Sequence, residues 1–413
     1  MGLKKSIAVL GVSVVAGSSL FVLPVNSEQA SAKSQTINFW YGGDGDKDIK
    51  PIIKAFTKKT GIKVTIQSIP WSQYNDKLLT AAASKSGPDV LVVGTTEMPN
   101  MVSSKTVMNI SKYVNQDKSI SPSNFFEGSV NTTKYSGKYY AVPWYVETRV
   151  LYYRKDLLKK AGYNQAPKTW SQLYQASLKL SKRGTGMYGF NVDASEPTFG
   201  FMFARQNGAT LIKNGKAQFN KKSMVGAINY LHKFVKNGAA PKQDLKLTIG
   251  QSFGGDGKVP MFISGPWMMS SVETDSGLKD SQWGVAQLPS GKKGNTSNTG
   301  GGDIAVFNYT KKKAAAVKLM KYLSTKKSQL TYYKNSSSMP TLKSAWTDKS
   351  LSDSKIQVFR KQLNSSEPMP LIKQWDEIGQ NYLQAWQTIA LKDSNVQKTM
   401  NSFTTQTNKL ISK

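Results

Sequence analysis

The chain lacks cysteine altogether and has a single histidine among its 413 residues. Without cysteine there is no disulfide bond, no cysteine nucleophile, no cysteine–zinc site and no lipid attached to an N-terminal cysteine. A Ser-His-Asp triad or a multi-histidine metal site would have to be built around His232, which lies in a stretch with the spacing of a helix. We therefore interpret His232 as structural. We also expect no cofactor and no metal, because the acids are scattered and neither a P-loop nor a calcium-loop spacing occurs.

Acidic residues are few as well. The 25 Asp and Glu residues face 56 Lys and Arg residues, which gives a formal net charge of +31. Nucleic acid is the first partner that such a charge suggests, but the lysines are spread along the whole chain and no nucleic-acid-binding signature accompanies them. An evenly basic surface is more typical of a protein that works near a polyanion. We therefore expect no nucleic-acid partner, and electrostatic contact with anionic cell-wall polymers or lipid that high salt would release.

The N-terminus has the pattern of a secretory signal peptide. Lysines at positions 4 and 5 precede an apolar stretch over 7–23, and the polar segment that follows ends in Ala30-Ser31-Ala32. The apolar stretch is short and diluted by glycine and serine, which favours cleavage after Ala32; a retained transmembrane anchor is the alternative. We expect a secreted protein at the outer face of the cell membrane or in the cell wall, not held by a lipidated cysteine.

The rest of the sequence predicts an α/β fold. Residues 36–40 and 62–66 alternate like strands, and a helical spacing from Ile49 to Phe56 lies between them. The uninterrupted apolar run Val90–Val93 is typical of a strand that is buried on both faces. The order of elements changes after about residue 145, and no low-complexity linker separates the two halves. We therefore predict two lobes that the chain crosses more than once.

Aromatic residues beside turns are the main candidates for chemistry. The chain has 9 Trp, 18 Tyr and 16 Phe, and several of them follow glycine or proline where a core would not need them. Sugar rings stack their apolar faces on flat aromatics, and their hydroxyls need fixed donors and acceptors. The pattern favours a carbohydrate cleft, although each tryptophan taken alone is as well explained by core packing. The candidates are Trp40-Tyr41, Trp71, Trp144-Tyr145, Trp267 and Trp375.

Eight short blocks, each weak by itself, follow one another along the chain. They are Ile37–Trp40, Phe56–Val64, Gly87–Val90, Gly137–Pro143, Tyr152–Leu157, Pro167–Trp170, Phe262–Trp267 and Gly300–Val306. In this order the blocks resemble the extracellular solute-binding proteins of carbohydrate ABC transporters, the family of maltose- and oligosaccharide-binding proteins. The resemblance covers essentially all of the sequence after the signal segment.

The resemblance implies a periplasmic-binding-protein-like fold, in which each lobe is a mixed sheet flanked by helices and the chain crosses the hinge three times. Residues 33–145 and 302–338 would form the first lobe, and 149–298 and 341–413 the second, with hinges near 145–148, 299–302 and 338–341. The implied function is that of the substrate-binding component of an ABC importer. The lobes would close on a sugar, an oligosaccharide, and the monomeric protein would deliver it to the membrane permease subunits without chemistry or ATP of its own.

The resemblance also assigns ligand contacts by position. Glu147 would accept hydrogen bonds from sugar hydroxyls, Trp267 would supply a stacking platform, and backbone near Gly301 would approach the ligand closely. Thr198 stands where many maltodextrin binders have an aromatic residue, so the resemblance does not identify the sugar. With three of the aromatic candidates added, the predicted ligand-binding set is Trp40, Gly42, Gly43, Asp44, Glu97, Trp144, Tyr145, Glu147, Glu196, Trp267, Gly301, Gly302, Asp303 and Trp375.

Two other classes stay open from the residues alone. Carboxylates beside aromatics also describe a secreted glycoside hydrolase, which needs two carboxyl groups about 5 to 10 Å apart across the scissile bond. A charge-retained cell-wall-binding protein would share the basic surface. Because the motifs belong to the binding protein, we predict that the chain is not an enzyme.

Overall fold

A computed structural model describes residues 35–43 and 45–412 of the chain. The predicted signal peptide and Asp44 lie outside these residues. Fourteen strands occur in the described part: β1 (Thr36–Gly42), β2 (Lys63–Ile69), β3 (Val90–Gly94), β4 (Lys134–Tyr135), β5 (Lys138–Tyr139), β6 (Ala141–Thr148), β7 (Val150–Arg154), β8 (Ile212–Lys213), β9 (Lys216–Ala217), β10 (Met261–Ser264), β11 (Trp283–Ala286), β12 (Ser297–Val306), β13 (Met339–Pro340) and β14 (Ser366–Pro368).

Sixteen α-helices accompany these strands in the described residues: α1 (Lys50–Thr60), α2 (Trp71–Ser84), α3 (Met98–Ser103), α4 (Ser111–Gln116), α5 (Glu127–Asn131), α6 (Lys155–Lys160), α7 (Trp170–Ser181), α8 (Phe199–Gln206), α9 (Lys222–Lys236), α10 (Ile249–Ser252), α11 (Met268–Asp275), α12 (Lys313–Leu323), α13 (Lys326–Ser336), α14 (Ser354–Leu363), α15 (Trp375–Lys392) and α16 (Val396–Ile411). Short 3-10 turns lie at Lys118–Ile120, Pro122–Asn124, Asp280–Gln282, Lys343–Thr347 and Lys349–Leu351. None of the described helices combines the length and apolar composition needed to span a bilayer.

The first β-α-β unit forms as its sequence pattern predicts. Ile52, Ile53 and Phe56 are the buried residues of α1, and their spacing places them on one face of the helix. A proline in the first turn suits the start of the helix. The helix ends at Gly61, which adopts φ 72°, a left-handed conformation that glycine reaches without strain.

The larger sheet has the order β13-β6-β12-β3-β1-β2, with β14 paired to β12. Strand β1 is parallel to β2 and β3, and β12 runs antiparallel to β3 and β6. The sheet is therefore mixed, as predicted. The carboxyl ends of β1, β3 and β6 and the first residues of β12 consequently meet at one edge. Loops that leave this edge can bring side chains from distant parts of the sequence together.

The smaller sheet has the order β10-β7-β11, and both of its pairings are antiparallel. The expectation of a mixed sheet thus holds for the first lobe, whereas the described strands of this second sheet are antiparallel. The core of this lobe joins α7, α8, α9 and α15 to the sheet through a cluster of buried apolar residues. His232 lies on α9, is buried, and places Nε2 3.2 Å from Asp393 Oδ1.

The two lobes are joined where β6 of the larger sheet continues into β7 of the smaller one. Gly301 of β12 lies opposite Val146 of β6 on one side, and Met339 of β13 lies opposite Val146 on the other. The three segments predicted as hinges are therefore side by side on neighbouring strands. Helix α14 packs against strands of both sheets. The predicted two-lobed α/β architecture is confirmed.

Candidate functional site

A cavity of about 710 Å³ opens at the edge of the larger sheet where β1, β3 and β6 end. Its walls come from the loops after β1 and β3, the end of β6, the start of β12, and the second-lobe residues around 196–198, 267 and 375–379. Ligand pockets of proteins usually have volumes of about 300 to 1,000 Å³ and are formed between domains. The cavity is thus large enough for a molecule of several rings.

Two tryptophans present flat surfaces to this cavity, one from each lobe. Trp71 begins α2 and is 44% exposed, and Trp267 directly precedes α11. A β-carbon added at Gly42 would overlap the Trp71 ring, and one added at Gly265 would overlap the Trp267 ring. Because glycine has no side chain, each indole can lie against the backbone. The two rings form flat apolar walls for a ligand.

Arg149 contacts both the Trp267 ring and the carboxylate of Glu196. Its guanidinium lies 4.5 Å from the centroid of the Trp267 ring, and Nη2 donates to Glu196 Oε2 over 3.0 Å. The Thr198 hydroxyl and amide donate to Glu196 Oε1 at 2.7 and 3.1 Å. Burial alone would raise the pKa of Glu196, but the Arg149 charge and these hydrogen bonds bring it below its usual value. Arg149 lines the cavity, and its Nη1 is buried without a hydrogen-bond partner among the described residues.

Glu147 lies near the end of β6, within the first predicted hinge segment and opposite Gly300 of β12. Ser338 Oγ donates to Glu147 Oε1 at 3.0 Å. Burial raises the pKa of Glu147, and the nearby Arg149 charge opposes this shift. A carboxylate in this position can accept hydrogen bonds from a ligand that touches both lobes.

Glu97 and Asp376 also line the cavity, one from each lobe. Glu97 precedes α3 and accepts a hydrogen bond from Thr96 Oγ1 at 2.9 Å. Burial, and secondly the charge of Asp376, raise the pKa of Glu97 to about 7. Asp376 lies in the first turn of α15, where Asn75 Nδ2 of α2 donates to its Oδ2 at 3.3 Å. A hydrogen bond thus already joins the lobes next to the cavity.

Tyrosines form the floor of the cavity. The hydroxyls of Tyr41 and Tyr332 lie 2.9 Å apart and share a hydrogen bond. Burial raises the pKa of Tyr41 to about 12, so its hydroxyl is neutral at physiological pH. Tyr332 stacks on Trp144 with ring centroids 4.2 Å apart, which fixes the floor to the core of the first lobe.

Most of the predicted ligand-binding residues come together in this cavity, and they do so from both lobes. Those that line it are Gly42, Gly43, Glu97, Tyr145, Glu147, Glu196, Trp267, Gly301 and Trp375. Asp44 lies outside the described residues.

Four predicted residues do not line the cavity. Trp40 is half-buried on the other face of β1, where Lys77 Nζ lies 5.2 Å from its ring centroid. Trp144 is fully buried in the core, so no ligand in the cavity reaches its ring. Gly302 packs against the Tyr145 ring, which leaves no space for a ligand there. Asp303 is 1% exposed, accepts a hydrogen bond from Thr132, and has its pKa raised by burial well above the usual range.

Several lining residues were absent from the predicted set. Trp71 is one of the aromatic candidates beside turns, but the predicted ligand-binding set omits it. Arg149 follows the predicted hinge directly, and Asp376 follows Trp375, so proximity along the chain was an available signal for both. Tyr332 lies within α13, and Asn298 lies within β12; neither has a local feature that distinguishes it.

A two-lobed α/β fold with a cavity lined from both lobes defines a binding protein that encloses a small solute. The model of the family "Bacterial extracellular solute-binding protein" matches residues 42–330. The chain belongs to this family of solute-binding proteins. The predictions of an extracellular binding protein and of no enzymatic activity are thereby confirmed, and nothing supports a glycoside hydrolase.

Individual relatives align over nearly the full length of the chain. A galactooligosaccharide-binding protein of Bacillus subtilis is 25% identical over 379 residues, which cover 88% of this chain and 87% of the relative. A maltooligosaccharide ABC transporter solute-binding lipoprotein of Streptococcus pneumoniae is 27% identical over 406 residues, 90% of each chain. Among solved structures, the sugar-binding protein MalE of Xanthomonas citri superposes with a TM-score of 0.82 at 28% identity. This superposition covers 92% of this chain and 98% of that one.

Proposed function

We propose that this protein is the extracellular sugar-binding component of an ABC importer, and that it captures an oligosaccharide in the cavity between its lobes. The observation that carries the proposal is the pair of tryptophans, Trp71 and Trp267, which face one cavity from opposite lobes. Flat indole surfaces suit the apolar faces of sugar rings, and the carboxylates of the cavity accept hydrogen bonds from sugar hydroxyls. The sugar-binding relatives support the same ligand class.

Hinge closure is the mechanism that this arrangement supports. A sugar that touches both lobes stabilises the closed form by contacts that the open form lacks. Hinges near 145–148, 299–302 and 338–341 fit this motion, because the three segments are neighbours on β6, β12 and β13. In the bound state Glu147 accepts from sugar hydroxyls, Arg149 donates, and the two tryptophans hold the rings. The closed form is then recognised by membrane permease subunits.

The remaining partners and the location follow from charge and from the N-terminal segment. Cleavage after Ala32 would release a protein that acts as a monomer, with both lobes of the same chain lining the cavity. The net charge of +31 supports retention by anionic cell-wall polymers or lipid. Washing cells with high salt should release the protein, because screening weakens such contacts. A protein that stays cell-bound in high salt would contradict retention by charge.

A sugar screen tests the proposed function. Residues 33–413 are mixed with mono- and oligosaccharides, including malto- and galactooligosaccharides, and with peptides and amino acids as controls. A ligand at 100 times its Kd stabilises the folded state by about 2.7 kcal/mol, which shifts Tm by several degrees. We expect a response confined to one oligosaccharide class, without hydrolysis. A response to a control class, or to no sugar at all, would contradict the proposal.

A further inference from the structure

The cavity is acidic although the protein is strongly basic. Its lining contains five carboxylates and only two cationic side chains, whereas the whole chain has 25 acidic and 56 basic residues. The lining carboxylates are Asp48, Glu97, Glu147, Glu196 and Asp376. Of the two cations, Arg149 is already bound to Glu196. The formal charge of the lining is thus opposite in sign to the net charge of the chain.

Three polar side chains near the cavity already donate to these carboxylates. Thr96 donates to Glu97, Ser338 donates to Glu147, and Asn75 donates to Asp376. Two amide oxygens, in contrast, have no hydrogen-bond donor within the described part of the chain. Asn298 is 5% exposed and lines the cavity, yet its Oδ1 has no hydrogen-bond partner among the described residues. Oδ1 of Asn75, beside Asp376, is also buried without one. Together with the five carboxylates, the unpartnered Asn298 oxygen favours a ligand that supplies donors.

Glu97 and Asp376 are the carboxylates for which this requirement is clearest. Among the described residues, no Lys, Arg or His side chain lies within ion-pair distance of either of them. They come from different lobes: Glu97 directly precedes α3, and Asp376 lies in the first turn of α15. Burial raises the pKa of Glu97, and the charge of Asp376 raises it further. Two carboxyl groups that line one cavity without a counterion favour a cation, which would stabilise their ionised forms.

We propose that the sugar taken by this cleft carries a protonated amino group, and that its ammonium lies between Glu97 and Asp376. The inference rests on the proposed function, since it specifies the class of sugar. An ammonium supplies three donors and a positive charge, which match the carboxylates that outnumber the cations in the wall. A hydroxyl at the same place supplies one donor and brings two further acceptor lone pairs. The ammonium also bridges the lobes, so it stabilises the closed form.

The test compares sugars that differ only in the amine. Maltotriose and galactotriose are each paired with their 6-amino-6-deoxy derivatives, one derivative for each ring, and Kd is measured by calorimetry at pH 7.0 and low salt. A primary alkylamine is protonated at this pH. We expect one amino derivative to bind at least tenfold more tightly than its neutral parent, and 0.5 M NaCl to reduce this ratio. Glu97→Gln and Asp376→Asn should each bring the ratio close to one.

Glu377→Gln is the matched control. Glu377 follows Asp376 on the same helix turn, is exposed and does not line the cavity, so its loss changes the net charge equally. The ratio should survive this change. Neutral parents that bind as tightly as every amino derivative would overturn the inference and leave sugar binding intact. A tenfold ratio that persists in Glu97→Gln and Asp376→Asn would overturn the assigned position. If no sugar binds in either form, both the inference and the proposed function fail.

Discussion

The position of the Trp267 ring should be as important for binding as the ring itself. Replacing Trp267 by alanine removes one stacking wall, which for a central aromatic contact costs about 2 to 4 kcal/mol of binding free energy. Since 1.4 kcal/mol is a factor of ten, Kd should rise about 30- to 700-fold. Gly265→Ala keeps the indole but places a β-carbon where the ring now lies. The ring must then leave its place over Arg149, which loses a further cation–π contact of about 1 kcal/mol.

Gly265→Ala should therefore weaken binding almost as much as Trp267→Ala does. Both variants are measured by calorimetry with the sugar found in the screen, and thermal unfolding checks that the second lobe is intact. Tyr163→Ala is the matched control. Tyr163 is a half-buried aromatic residue with Lys179 Nζ 5.1 Å from its ring centroid, and it lies outside the cavity. An unchanged Kd in both folded variants would refute the role of Trp267 as a platform.

Three further predictions test the electrostatics of the cavity. Burial and the charge of Asp376 raise the pKa of Glu97 to about 7. The stability that this carboxyl group contributes is therefore present below its unfolded pKa of 4.5 and is lost as pH rises through 7. Tm measured between pH 4.5 and 8 should therefore fall more in the wild type than in Glu97→Gln, and parallel curves would count against this. Arg149→Leu leaves Glu196 buried without its cation and should lower the free energy of unfolding in urea by about 2 kcal/mol. This is less than the roughly 3–5 kcal/mol of a fully buried pair, because both side chains are partly exposed. The double variant Arg149→Leu, Glu196→Leu should recover most of the lost stability. Asp303→Asn should change the sugar Kd less than twofold, because Asp303 is buried away from the cavity; a tenfold loss would place it in the site.

The general architecture was predictable because hydrophobic periodicity reflects burial directly. The apolar run Val90–Val93 is fully buried in the middle of the larger sheet, as an uninterrupted run indicates. The ends of α1 follow from a proline and a glycine, whose backbone preferences are local. Contacts such as Asn75 with Asp376, 301 positions apart, depend on how the lobes meet, and no local pattern encodes them.

Neighbouring aromatics within a strand are the clearest limit on predicting the site. Side chains of a strand alternate between its two faces, so only one of two adjacent aromatics can face the cavity. In β1 the cavity residue is Tyr41 and not Trp40, and in β6 it is Tyr145 and not Trp144. The sequence places both members of each pair beside the same turn and cannot tell which face is which. The predicted set accordingly included a residue from each pair that packs elsewhere.

An irregularity in strand pairing lies beside Gly302 and Asp303, the last two predicted residues that do not line the cavity. Gly302 of β12 lies opposite Tyr145, but the next residue, Asp303, lies opposite Pro143, so Trp144 has no partner on β12. One extra residue on a strand is a β-bulge, which redirects the side chains on either side of it. Asp303 lies opposite Val93, further from the cavity edge than Gly301, and is buried beside Thr132. Trp144 is the extra residue of this bulge, and its ring is buried in the core, where it stacks on Tyr332. A bulge depends on the pairing of strands that are far apart in sequence. Which side chains of β6 and β12 line the cavity therefore follows from the register between these two strands, and neither strand encodes it alone.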